Sequence, residues 1–286
     1  MSKASDHFWL FGVRPHQDDT LLNALGKKER NWGSRITPAE AAFMLGVPNV
    51  IMVNAHGIPV PFTSEARQYC ESFRRLKRVM WSACGSGGFR SGNEEKFICE
   101  LAENYPNVVG AFLDDFFGGY GTLEETSRLV DTLRTIRTDL DRAPRRLPIY
   151  AVWYAGKTDG ADPQLFDYLD GITIWTWDAD ELPELEKRFE KIEQKFPRHR
   201  KLLGIYMYDF PNRREVPAEL MAHQCELGLC LMRSGRLDGL IFEANSVMGV
   251  GLGSEKYLRE WIDRTRDIEL PDTIGFDAGP RQESHS

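Results

Sequence analysis

The side chains with the most chemistry in this chain stand at the ends of short apolar runs. Asp114 and Asp115 follow Val-Val-Gly-Ala-Phe-Leu, and Glu243 closes Asp-Gly-Leu-Ile-Phe-Glu. Other run ends carry Arg14 and His16, Asn54 and His56, Ser82 and Cys84, and Trp153-Tyr154. Later ones carry Trp175-Thr176-Trp177-Asp178, then Tyr206, Tyr208 and Asp209, and finally Asn245. Two carboxyl groups can divide the acid and base roles of glycosidic bond cleavage. Aromatic faces stack on the C–H faces of sugar rings, while Asp, Asn, Arg and His hydrogen-bond hydroxyls.

Structural roles compete with these. Asp114 or Asp115 can cap a turn or pair with Arg14, and Trp175 and Trp177 can fill packing layers. His16 and His56 can be structural, Asp178 can open a helix, and His223 reads as a structural residue of its helix. Glu243 is harder to place structurally, because a carboxylate directly after Leu-Ile-Phe must be paired or functional. The Gly85–Phe89 segment reads as a flexible loop. Gly249–Ser254 runs into a helix start, where backbone N–H groups can bind phosphate. No set of His and carboxylates has metal-ligand spacing, so neither metal nor organic cofactor is expected. A Schiff-base mechanism would want a strand-end lysine, and only Lys157 lies near one.

What must position these residues is a repeated unit. Apolar runs at 8–13, 49–54, 78–82, 108–113, 148–153, 171–177, 202–208 and 238–243 predict strands buried on both faces. Between them lie helical patterns with start signals. Thr37-Pro38-Ala39-Glu40 and Thr122-Leu123-Glu124-Glu125 are capping boxes. Helices are predicted from Ser64 to about Lys77, Asn93 to Asn104, Pro183 to Phe196, Pro217 to Ser234, and Ser254 to about Arg266. Only Pro163–Leu169 is available after the fifth strand. Eight strand–helix units predict an α/β fold, a single (β/α)₈ TIM barrel over residues 1–268. A polar tail, 269–286, is expected to be disordered.

Composition agrees. The 286 residues are 42% hydrophobic and 28% charged, enough for one sizeable core. A net charge of −7 argues against nucleic acid and anionic membranes as partners. No run approaches the ~18 apolar residues of a membrane helix. Five cysteines without a CxxC pair read as reduced thiols, and with no signal-peptide pattern at the start the expected location is cytoplasmic.

Ala111-Phe112-Leu113-Asp114-Asp115-Phe116 resembles the Asp-Asp motif of the O-GlcNAcase and bacterial hyaluronidase-like glycoside hydrolases. Ile174-Trp175-Thr176 is similar to a Trp-Thr-Gly stretch there, and Tyr208-Asp209-Phe210-Pro211-Asn212 loosely to a Trp-Asp-Asn segment. Trp177 departs from the Gly-Pro continuation, and the later Asn is shifted. The resemblance implies that Asp114 orients a substrate acetamide and Asp115 acts as general acid/base.

The expectation is therefore a cofactor-free glycosidase acting on a small or oligomeric sugar. Its catalytic residues are Asp114, Asp115 and Glu243. Its substrate-binding residues are Arg14, Asn54, His56, Trp153, Tyr154, Trp175, Trp177, Asp178, Tyr208, Asp209 and Asn245. The alternatives are a sugar or sugar-phosphate isomerase or epimerase, with phosphate held at Gly249–Ser254, and a non-catalytic sugar-binding barrel.

Overall fold

The computed structural model describes residues 2–15, 34–118, 123–155, 163–272 and 276. His16, Lys157 and the Thr122 capping residue lie outside them, as does most of the tail.

Eight strands close a parallel barrel: Phe8–Val13 (β1), Asn49–Val53 (β2), Arg78–Cys84 (β3), Val108–Leu113 (β4), Ile149–Tyr154 (β5), Gly171–Trp175 (β6), Arg200–Tyr206 (β7) and Gly239–Glu243 (β8). The last pairs with the first, Glu243 beside Phe11, and Glu243 also pairs with Tyr206 of β7. Pairing in a parallel register puts these three side chains on one face, here the interior. Among the described residues seven helices pack outside: Pro38–Leu45 (α1), Ser64–Ser72 (α2), Glu94–Asn104 (α3), Leu123–Leu140 (α4), Leu185–Lys195 (α5), Ala218–Arg233 (α6) and Gly253–Thr265 (α7). The fold is the expected (β/α)₈ barrel.

The alternation of each strand decides which aromatic residues can reach a ligand. Inward, Phe11 meets Trp175 at 5.5 Å, and Trp175 meets Tyr206 at 5.1 Å. Gly204 makes room for that indole, since a Cβ there would lie 2.0 Å from a ring carbon of Trp175. Outward, Trp81 packs on Phe97 of α3, and Phe8 and Phe242 pack on Trp261 of α7.

Several boundaries differ from expectation. The capping box at α1 is present, with Thr37 and Glu40 satisfying each other's backbone N–H groups. Helix α2 stops at Ser72, five residues early, because Phe73 ends it in a turn. The short segment after β5 holds a single 3-10 turn, Pro163–Leu165. Strand β7 ends at Tyr206, so Tyr208–Asp209 belongs to a small hairpin with Arg214–Glu215. The tail also starts differently. Glu269–Leu270 pairs antiparallel with Ser2–Lys3, and Phe276 lies under the barrel, stacked on Tyr150 at 5.5 Å and beside Trp9 at 5.6 Å. That contact makes Phe276 part of the barrel floor. Among the described residues no helix is long and apolar enough to cross a membrane.

Candidate active site

The acids from β4 and β8 meet at the C-terminal mouth of the barrel, where this fold builds its sites. Strand β4 ends at Leu113, and Asp114 continues its line into the interior, buried, with its N–H donating to the Cys84 carbonyl at 2.9 Å. Asp115 then takes a left-handed backbone, φ 48°. A non-glycine residue rarely adopts that region, and doing so breaks the strand alternation at this residue. Asp114 and Asp115 therefore turn towards a common region instead of opposite faces. The break falls on Asp115 itself.

The Gly85–Phe89 loop, read from sequence as a flexible cover, is the cradle of this pair. The Ser86 hydroxyl donates to Asp114 Oδ2 at 2.8 Å, and the Gly87 N–H donates to Asp115 Oδ2 at 2.9 Å. Gly85 must be glycine, because a Cβ would sit 2.1 Å from the Asn54 carbonyl oxygen. From β5, the Tyr154 hydroxyl donates to Asp115 Oδ1 at 2.7 Å. Both Asp115 oxygens thus face donors.

Burial sets the electrostatics. Desolvation, then the adjacent Asp115 charge, pushes the Asp114 carboxyl up to about 7, with the Ser86 hydrogen bond pulling the other way. Glu243 is buried, and its carboxyl is held well above the usual range by desolvation and then by Asp114. Its Oε2 has no hydrogen-bond partner among the described residues. Burial and Asp115 also raise the Tyr154 phenol, and burial raises Tyr206, so both remain O–H donors at neutral pH. Among the described residues no cation contributes to either raised carboxyl. Asp114, raised towards neutrality, stands next to Asp115, which two donors hold, and its charge is felt by the buried Glu243.

An aromatic wall stands on the β6–β7 side. Trp177 is 46% exposed, stacks on Phe210 at 5.2 Å with the rings 8° from parallel, and meets Tyr154 and Tyr206 edge-on. Trp175 lies beneath it as a buried interior layer. Asn54 Oδ1 and Thr176 Oγ1 are buried without partners among the described residues.

Other sequence candidates take structural positions. Trp153 faces outward, packed against Phe117, Phe166 and Phe196, because it alternates with the inward Tyr154. Asn245 straps the barrel, accepting from the Val13 N–H and donating to the Val13 and Ile36 carbonyls. Asp209 is buried but bound by Arg214 at 3.0 Å and Asn212 at 3.0 Å, which fix the 208–215 hairpin. Asp178 caps the 3-10 helix Ala179–Glu184 and accepts from Asn212. Arg14 is engaged by Glu65 at 2.5 Å, not by the Asp pair. His56 is exposed on a left-handed backbone, and Tyr208 is buried against Phe210. Ser86 and Phe210 were missed as site residues. Ser86 lies in a glycine-rich loop after a strand, which was the available signal.

The phosphate cradle is occupied from within. Glu215 accepts from the Gly253 and Ser254 N–H groups at 2.6 and 3.3 Å, and Glu255 accepts from the Gly249 N–H at 2.8 Å. Among the described residues no group of three His, Cys, Asp or Glu is arranged to hold a metal ion.

The closed barrel with acids at its C-terminal mouth defines a (β/α)₈ protein of the kind that many hydrolases use. Comparison with known proteins gives the same fold. Neither protein-family models nor curated proteins match the chain. Among solved structures, PbGH5A from Prevotella bryantii B14, a glycoside hydrolase family 5 enzyme crystallised with a xyloglucan tetradecasaccharide, aligns at TM-score 0.55 and 11% identity. That alignment covers 93% of this chain and 99% of the other. Active domain 2 of a Pyrococcus furiosus chitinase aligns at 0.52 and 11%, covering 91% and 95%. A probable 2-pyrone-4,6-dicarboxylic acid hydrolase from Acinetobacter baumannii aligns at 0.52 and 10%, covering 94% and 97%. At such identities the likeness is one of fold.

Proposed function

We propose that this chain is a carbohydrate-active hydrolase that cleaves a glycosidic bond with the acids at the mouth of β4 and β8. The observation that carries the reading is the pairing of a proton-retaining, buried Asp114 with an Asp115 held by two donors, beneath an exposed aromatic face. Two glycoside hydrolases among the structural neighbours favour it over other barrel chemistries.

In this reading Asp114 is the general acid, the role that sequence resemblance assigns to Asp115. Its proton passes to the glycosidic oxygen as the bond from the anomeric carbon breaks. Asp115 supplies the accepting carboxylate, as nucleophile or as the base that takes a proton from water, with Tyr154 fixing its orientation. Glu243, its carboxyl held well above the usual range, is the second candidate for the proton-donating role. Trp177 and Phe210 provide a stacking face for a sugar ring, and Asn54 and Thr176 offer unsatisfied polar atoms to hydroxyls. The acetamide-assisted mechanism is one version of this chemistry, in which Asp115 orients the acetamide. The phosphate-dependent isomerase has less support, since its anion cradle holds Glu215 and Glu255.

A panel of nitrophenyl glycosides that includes N-acetylglucosaminides tests the proposal. Turnover of at least one member is expected, with a loss of about 10³-fold in Asp114→Asn on an unactivated leaving group. Absence of turnover by the wild-type protein across neutral, acetamido and acidic sugars would overturn it.

A further inference from the structure

Beside the acid pair lies a cavity of about 440 Å³ that the proposed reaction does not use. Asp115 and Tyr154 are among its lining residues, so it borders the atoms where the sugar would react. Phe116, Phe117 and Trp153 give it apolar lining, and Arg128 of α4 lines it as well. Arg128 is exposed and makes no ion pair among the described residues; its backbone carbonyl accepts from Thr132, as helix geometry dictates. Elsewhere arginines near acids are taken, as Arg14 is by Glu65, Arg90 by Glu95, Arg200 by Asp238 and Arg214 by Asp209. Arg128 and Asp115 thus line one cavity without being paired.

A guanidinium presents a planar fork of donors that matches a carboxylate. An apolar wall accepts the C–H face of a ring. We propose that this cavity is a subsite for a sugar carrying a carboxylate, a uronic acid, with its anion on Arg128 and its ring against Phe116 and Phe117. The inference rests on the glycosidase reading for the position of the sugar, and it adds the substrate class. It also gives the local charge a purpose. A net negative protein repels an anionic substrate unless a cation receives it.

The test is a titration of the wild-type protein and of Arg128→Gln with sodium glucuronate, sodium galacturonate, glucose and galactose, followed by NMR. A uronate should bind the wild-type protein at least about tenfold more tightly than its neutral counterpart. Arg128→Gln should erase that preference while leaving the melting temperature unchanged. Sodium sulfate at equal concentration should fail to displace the uronate, because the ring contact is also needed, and full displacement by it would overturn the ring contact. Equal binding of acidic and neutral sugars, no uronate binding, or an unchanged preference in Arg128→Gln would overturn the proposal. The two readings fail separately. A uronate preference lost in Arg128→Gln without turnover of any aryl glycoside, glucuronides included, would leave the subsite standing and remove the hydrolase. Turnover confined to neutral glycosides and indifferent to Arg128 would do the reverse.

Discussion

Two acidic clusters lie at the same end of this barrel and are built on opposite terms. On the β6–β7 side, Asp178, Asp180 and Asp209 meet Arg214 and Asn212, with Arg214 reaching Asp209 at 3.0 Å and Asp180 at 2.5 Å. Every acid there has a cation or an amide, and the cluster fixes a hairpin. On the β4–β8 side, Asp114 and Glu243 are buried without a counter-charge among the described residues, and the groups there that face the Asp pair are a hydroxyl, a phenol and a backbone N–H. Uncompensated burial costs stability and persists where a site uses it. Residue type does not separate the clusters; the partner does.

The sharpest break of this contrast is Asp114→Asn. It should lower turnover by about 10³-fold while leaving the fold as stable as before or more so, because it removes a buried carboxyl that resists ionisation. Asp114 is raised in the folded state, so the unfolded chain gives up this proton first as pH rises. Its contribution to stability is therefore fullest below about pH 4 and falls as pH climbs to about 7. Melting curves of wild type and Asp114→Asn should accordingly diverge in favour of the variant across that interval.

Next in size is the separation of two tryptophans. Trp153→Ala should cost about 3–5 kcal/mol by denaturant titration, as an outward packing residue does. Trp177→Ala should leave stability nearly intact and weaken sugar binding by about 1–2 kcal/mol, measured by calorimetry. On the compensated side, Arg214→Ala should destabilise by about 1–3 kcal/mol, the cost of a buried carboxylate losing a half-exposed partner. A smaller loss there than in an exposed control pair such as Arg134–Asp131 would erase the distinction between the clusters.

Much of the barrel is legible in the sequence because strands covered on both faces must be apolar throughout, and eight such runs are plain. The Asp pair and Glu243 are legible for the same reason, as acids that interrupt an apolar rule. What the sequence hides is pairing at a distance. Asp209 looks as reactive as Asp115 until Arg214 is found folded back on it, and Asn245 looks like a ligand until it meets Val13 across the barrel closure. Trp153 and Tyr154 cannot both face inward, a consequence of alternation that naming both as binding residues overlooks. Arg128 lies on a helix, and nothing in the sequence shows that it lines one cavity with Asp115.

A carboxyl in this mouth keeps its proton towards neutrality because it is buried with no cation beside it among the described residues. Titrating the protein by carboxyl ¹³C NMR, with Asp114→Asn and Glu243→Gln to assign the signals, tests it directly. The account predicts a midpoint near 7 that vanishes in Asp114→Asn, with Glu243 titrating well above the usual carboxylate range. Midpoints for both residues within the ordinary carboxylate range, near 4, would contradict it.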